Sequence, residues 1–217
     1  ALNPFLLALN QWTATRWLTA FFLPHMVAPQ GLFLKGLRVA ASWAFFAGML
    51  VFLMCVAQVY LGKLFHPRVA GRGFYKVVRH PQYVGLAVAA WGLAVMWPRF
   101  LTLVLFGVML FLYYLLARDE ERRMLNRFGD GYRAYMERTG MFLPRAVERG
   151  FWRGGEPRAL TFGRAVGILT ALVAVCVGSG FALRAYTVRH LPLAEVAGMN
   201  VMAVTGEDLE ASKERVP

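Results

Sequence analysis

The sequence predicts an all-α fold, a polytopic transmembrane helical bundle, and three observations carry that prediction. Hydrophobic side chains make up 58% of the 217 residues and charged ones only 17%, less charge than a soluble domain of this length carries. The apolar residues come in unbroken runs, as a bilayer core about 30 Å thick requires of a helix of roughly 20 residues. The net charge of +12 borders those runs, the pattern of membrane flanks.

Residues 1–38 contain an apolar stretch, Trp17 to Leu34, broken by Pro24, His25, Pro29 and Gln30. It is expected to be a broken or interfacial segment, and the lack of a basic n-region and small-residue cleavage site argues against a signal peptide. Residues 39–61, apolar except for Ser42 and Gln58, are expected to span. Val84 to Ala117 is interrupted only by Arg99 and Thr102, and Pro98-Arg99 near its midpoint predicts a turn inside a helical hairpin, 81–117. The first arm of that hairpin is short for a full crossing. Residues 151–164, with Gly154-Gly155-Glu156-Pro157, read as a linker. Residues 165–184 read as a C-terminal span, beside which Gly163 and Gly167 have the spacing of close helix contacts, and 185–217 as a polar tail. About four spans result.

Lys63, Arg68, Arg72, Lys76 and Arg79 precede the hairpin, and a larger basic cluster, Arg118 to Arg164, follows it. Both segments are therefore expected on the cytoplasmic side, with Arg99 and the acidic Glu207, Asp208 and Glu210 opposite. Basic charge placed this way belongs to the membrane, so the lipid bilayer and not nucleic acid is the expected partner. Cys55 and Cys176 fall within expected spans and read as packing residues, and the four histidines show no ligand spacing, so no metal is expected.

The chemistry-bearing stretch begins at Gly73 and contains Arg79-His80-Pro81-Gln82-Tyr83-Val84-Gly85. Pro81 suits the first turn of a helix and pushes His80 out of the helical region, so a helix starts here at the membrane surface. Its dipole end favours an anionic group, and Arg79 beside it suits a carboxylate. Tyr83 offers a ring and a hydroxyl one turn in, and Gly85 lets something approach the backbone closely. After the hairpin come Asp119-Glu120-Glu121-Arg122-Arg123, then Phe128, Gly129, Tyr132 and Tyr135. Their helical spacing predicts an amphipathic helix along the cytoplasmic surface, broken at Gly129-Asp130-Gly131. A hairpin returns to the side it left, so Glu120 and Glu121 come level with Arg79 and His80.

Each residue also has a plainer reading. Arg79 and His80 alone would be interfacial residues of a basic loop. One of the two glutamates could pair with Arg122, Arg123 or Arg127 on a solvated helix end; Glu121, on the apolar-facing stripe, is the better choice for an inward role. Tyr132 and Tyr135 read as interface anchors, and Trp91 and Trp97 as packing and belt residues. His25, His66 and His190 are assigned no function.

With both halves of this pattern in view, the sequence resembles the isoprenylcysteine carboxyl methyltransferase family, its bacterial relatives and the related phospholipid methyltransferases. The shared pattern is Arg79-His80-Pro81, Tyr83 and Gly85, Gly92 within the hairpin, Glu120-Glu121, Phe128-Gly129, the two tyrosines and Pro144, covering roughly Gly73 to Pro144. The resemblance implies an integral, multi-pass membrane enzyme that binds S-adenosylmethionine through His80, Tyr83, Gly85, Glu120 and Glu121, in a cofactor unit over 62–150 with its site on the cytoplasmic side. Arg79 and Glu121 are the implied catalytic residues, and Arg79 alternatively orients substrate. The implied activity is methyl transfer to a membrane-associated, apolar or lipid-linked acceptor: a carboxylate, thiol, amine or lipid head group. Such a transfer mainly needs alignment and exclusion of water. An amine or thiol would also need a base, for which Glu120, Glu121 and His80 are candidates. Two alternatives differ in class: an NADPH-dependent membrane reductase related to sterol reductases, and a non-catalytic membrane assembly protein.

Overall fold

The structure, a computed structural model, describes residues 4–23, 32–65, 73–151, 160–190, 193–196 and 199–202. The breakers Pro24 to Gln30, the basic Arg68 and Arg72, His66, the glycines at 154 and 155 and the acidic tail lie outside the described residues.

The predicted helical bundle is observed. Helices α1 (Pro4–Gln11) and α2 (Arg16–Thr19) precede the long α3 (Leu32–Phe65), and a 3₁₀ turn at Gly73–Lys76 leads into α4 (Pro81–Met96). Then come α5 (Phe100–Phe128), α6 (Asp130–Arg138), α7 (Arg145–Phe151) and α8 (Phe162–His190). Strands β1 (Leu193–Val196) and β2 (Met199–Met202) pair antiparallel in the tail, a ribbon that the sequence reading did not anticipate.

Three described helices are long and apolar enough to cross a membrane: Leu32–Tyr60, Phe100–Phe128 and Phe162–Arg189. α4 is apolar but shorter, with 16 residues, or about 24 Å of helix against a core of about 30 Å. Its length is set by chemistry at both ends. Pro81 is its first residue, where a missing N–H is no loss and the ring bars a helical residue before it. Pro98 follows one residue after its cap. The short arm therefore stays short, and among the described residues three helices reach membrane length, with α4 the shorter apolar fourth.

Helix pairs are joined by small residues, as expected where apolar surface gains little by leaving lipid and close packing must supply the attraction. α3 and α4 run antiparallel with their backbones nearly touching. A Cβ on Gly48 would come 2.5 Å from the Ala89 nitrogen, one on Gly85 2.8 Å from the Gly48 oxygen, and one on Gly92 2.4 Å from the Ala41 oxygen. α5 and α8 meet through Gly107, whose Cβ would lie 3.0 Å from the Val173 Cα, and Gly180, whose Cβ would lie 2.5 Å from a Leu103 methyl. Gly163 and Gly167, whose spacing is that of close helix contacts, have nothing within 4 Å of an added Cβ among the described residues. They lie in the first turns of α8, beyond the contact with α5.

The N-terminal segment packs on the hairpin turn. The Phe22 N–H donates to the Pro98 carbonyl at 2.9 Å, and the Phe100 N–H to the Ala20 carbonyl at 3.1 Å. Trp17 sets its ring against Phe100 and Phe181. Phe22, Leu23, Ala94, Val95, Phe100 and Leu103 form one buried cluster there, so the apolar core sits at the Pro98 end of the hairpin and leaves the other end to polar groups. Cys55 and Cys176 are both free thiols in helices.

Candidate active site

At the end of the hairpin away from Pro98, three segments converge. Val78 and Gly140 form a parallel bridge. The Arg79 N–H donates to the Gly140 carbonyl at 2.8 Å, the His80 N–H to the Met141 carbonyl at 3.1 Å, and the Gly140 N–H to the Val77 carbonyl at 3.3 Å. The Met141 N–H is held in turn by both carboxylate oxygens of Glu148 at 3.0 Å. Gly129 lets the chain reach back this far: its φ of +50° between α5 and α6 lies in a region that a side chain makes strained. The charges after Ala117 thus belong to the same helix as the span, and the amphipathic segment divides at Gly129, within the break expected at Gly129-Asp130-Gly131, part in α5 and part in α6.

The side chains within this frame are tied together. Arg79, buried at 8% exposure, donates from Nε to Glu121 Oε1 at 2.5 Å. Its Nη1 donates to the carbonyls of Met136, at 3.2 Å, and Thr139. The His80 ring lies between the two glutamates, Nδ1 at 3.3 Å from Glu120 Oε2 and Nε2 at 3.4 Å from Glu121 Oε1. The Tyr83 hydroxyl donates to Glu120 Oε1 at 2.6 Å. Asp119 takes Arg122 at 2.6 Å, and Arg123 as well. The solvated-end pairing weighed for the glutamates is therefore made by Asp119; Glu121 is buried, and Glu120 reaches His80 and Tyr83 with its side chain half-exposed.

Three buried atoms in this cluster have no hydrogen-bond partner: Glu121 Oε2 and both ring nitrogens of His80. The imidazole contacts to the glutamates are ionic distances without hydrogen-bond alignment. Burial acts to lower the His80 pKa, but the two carboxylates outweigh it and raise it above the ordinary 6.5. With an acceptor facing each nitrogen, the imidazolium, which carries two N–H donors, is the matched form. The Tyr75 and Tyr132 hydroxyls are pushed well above the usual tyrosine range, by burial first and then by neighbouring ionisable groups.

Residues that sequence reasoning passed over complete the walls. His80 stacks on Tyr83 with centroids 5.6 Å apart, Tyr83 stacks on Tyr113 at 5.0 Å, and Phe142 tilts over His80 at 6.0 Å. Tyr113 lies two helical turns before Glu120, a spacing that puts both on one face of α5. That signal was available in the sequence, whereas Phe142 comes from a loop with no periodicity to read. Tyr132 is buried at 4%, and Tyr135 donates its hydroxyl to the Tyr75 carbonyl at 2.7 Å. Both tyrosines face the protein, because α6 meets the 73–80 segment, where Arg79 bonds the Met136 carbonyl.

Gly85 differs from the other predicted site residues. Its backbone faces α3, with the Phe52 nitrogen 2.9 Å from where a Cβ would stand. The close approach that it allows is that of a helix.

A cavity of about 550 Å³ lies elsewhere, at the Pro98 end, lined by Phe22, Trp91, Val95, Leu103, Gly180 and Tyr186 among others. No carboxylate or histidine lines it. Trp91 stands 11 residues beyond His80, or about 16 Å along the helix. The reactive groups lie at the other end.

The fold and site define a class, a helical membrane protein with a buried ionic cluster at one mouth of a hairpin, and the comparisons with known proteins show what part of it is similar to methyltransferases. The phospholipid methyltransferase family model matches residues 33–131, which hold α3, the hairpin and both glutamates. Methanethiol S-methyltransferase 1 of Bradyrhizobium diazoefficiens is 39% identical over 79 residues, 36% of this chain and 27% of the relative. Methanethiol S-methyltransferase 2 of the same organism is 32% identical over 139 residues, 61% of this chain and 44% of the relative. The protein-S-isoprenylcysteine O-methyltransferase of Schizosaccharomyces pombe is 29% identical over 104 residues, 43% of this chain and 44% of the relative. Over residues 33–131, the chain is therefore similar to membrane methyltransferases of the phospholipid and isoprenylcysteine type. It spans less than half the length of these relatives. No solved structure matches it.

Proposed function

We propose that this chain transfers a methyl group from S-adenosylmethionine to a thiol or carboxylate on a membrane-associated, apolar acceptor, with residues 62–150 as the cofactor unit and the site on the cytoplasmic side. The observation that carries this reading is the buried Glu121 Oε2, which has no hydrogen-bond partner although Oε1 of the same carboxylate is bonded by Arg79 and faced by His80. A buried carboxylate oxygen without a donor is costly, and the ammonium or a hydroxyl of the methyl donor fits it. The bound donor supplies an electrophilic methyl group on a sulfonium sulfur.

The protein's own groups hold and align. Glu121 Oε2, buried without a partner, would hold the ammonium or a hydroxyl of the bound donor. Glu120 fixes the Tyr83 hydroxyl, and Tyr83 with Tyr113 presents ring faces suited to a cation. Phe142 and the apolar hairpin keep water out, so that alignment carries most of the acceleration. His80, between two carboxylates, serves as their charge partner, and an acceptor that enters as its anion needs no base. The relatives' printed names cover a thiol acceptor and isoprenylcysteine, which favours these acceptors over an amine and turns the choice away from the reductase.

The test is calorimetry of S-adenosylmethionine binding to the detergent-purified chain, with Glu121→Gln and His80→Ala alongside. Saturable binding weakened by both substitutions is expected. A folded wild-type chain that binds NADPH and not S-adenosylmethionine would refute the reading.

A further inference from the structure

We infer that Arg79 is a positioning residue, which sets Glu121 for the donor and locks the end of α6 over the site, and is not a group that touches substrate. Its functional half rests on the methyl-donor reading above; its geometric half stands alone. The guanidinium bonds three acceptors drawn from two distant segments: the Glu121 carboxylate on α5, and the Met136 and Thr139 carbonyls at the C-terminal end of α6. The side chain is 6% exposed. Helix-end carbonyls lack partners within their own helix and carry the negative end of its dipole, so a buried cation satisfies them.

One planar fork therefore makes two joints. Through Nε, aided by His80 Nε2 on the same oxygen, it occupies Glu121 Oε1 and leaves Oε2 as the oxygen offered to a ligand. Through Nη1 it holds the turn whose backbone pairs with residues 77–80 and carries Phe142 over His80. Lysine at this position keeps the charge but has no planar fork to span a carboxylate and two carbonyls. The resemblance casts Arg79 as catalytic or substrate-orienting; its donors on Nε and Nη1 are consumed inside the protein.

The experiment uses the full chain in nanodiscs, as wild type, Arg79→Lys, Glu121→Gln and the double variant. Without ligand, hydrogen exchange of Arg79→Lys is expected to accelerate about tenfold at the Gly140 and His80 amides while α3 and α8 stay protected. Unchanged exchange there overturns the lock. S-adenosylmethionine affinity is expected to fall about tenfold in Arg79→Lys, and the double variant to bind no more weakly than Glu121→Gln alone, since both changes act on one carboxylate. The acceptor KM and the kcat at saturating donor should stay within about twofold, because a group remote from the acceptor contributes to donor binding only. Additive losses, or a raised acceptor KM with donor affinity intact, overturn the inference and put Arg79 on the substrate. A wild-type chain that binds no donor refutes the methyl-donor reading instead, and the exchange result then decides the lock on its own.

Discussion

The two ends of the α4–α5 hairpin are built on the same plan and do different things. At each end an arginine lies beside a backbone bridge to a distant segment: Arg79 beside Val78–Gly140, and Arg99 within the Phe21–Arg99 bridge. Each arginine bonds backbone carbonyls, Arg79 those of Met136 and Thr139, and Arg99 that of Thr19 at 2.6 Å. Of the two, Arg79 alone also has a carboxylate, that of Glu121. Arg99 instead lays its guanidinium over the Phe21 ring, 4.1 Å from the centroid. A clamp that closes on carbonyls and a ring is structural, whereas one that closes on Glu121, with His80 beside it, leaves a polar oxygen available to a ligand.

The largest effect should come from breaking the polar clamp. Arg79→Ala strands a buried carboxylate and is expected to cost about 3–5 kcal/mol of stability and to abolish donor binding, read by thermal unfolding and calorimetry. Arg99→Ala loses one charged hydrogen bond and the ring contact, about 1.5–3 kcal/mol, and should leave donor affinity unchanged; weakened binding would mean the two ends are coupled. Next come the glycines that seat α3 on α4. Gly92→Ala and Gly85→Ala should each cost roughly 1–3 kcal/mol by overpacking against backbone. If Gly85→Ala alone weakens donor binding beyond its stability loss, then Gly85 contacts cofactor as the resemblance implies, in addition to α3.

The pH dependence separates the ends again. His80 has a raised pKa in the fold, so its stabilisation is fully present below the ordinary 6.5 and is lost as pH rises through the raised value. Melting temperature should therefore decline from about pH 6.5 upward, and His80→Phe should flatten that decline, whereas Arg99→Ala should keep it. The smallest effect belongs to Tyr83→Phe. It removes one hydroxyl bond to Glu120, about 0.5–1.5 kcal/mol, and should loosen donor binding only modestly in the same calorimetric titration.

Much of this architecture was legible because bilayer thickness and helical geometry convert length and composition directly into spans. The hairpin, its turn at Pro98-Arg99 and the meeting of Glu120 and Glu121 with Arg79 and His80 all follow from one rule, that a hairpin returns to the side it left. Where a second segment had to fold back, periodicity carried no signal. Tyr132 and Tyr135 looked like interface anchors, and Gly163 and Gly167 like the contact of the last helix with its neighbour. The actual contacts use Gly107 and Gly180, since which glycine meets a partner depends on where two helices cross.

From the sequence alone came the membrane bundle, the position of the reactive cluster and the types of residue in it, because hydropathy, proline and charge act locally along the chain. Tertiary structure decided the partners: Asp119 taking the surface arginines, Gly85 facing α3, Arg79 bonding Glu121 and the end of α6, and Glu121 left with one free oxygen. Those are outcomes of competition among donors and acceptors brought together from segments some 40 to 60 residues apart, and only the folded geometry determines which partner each group obtains.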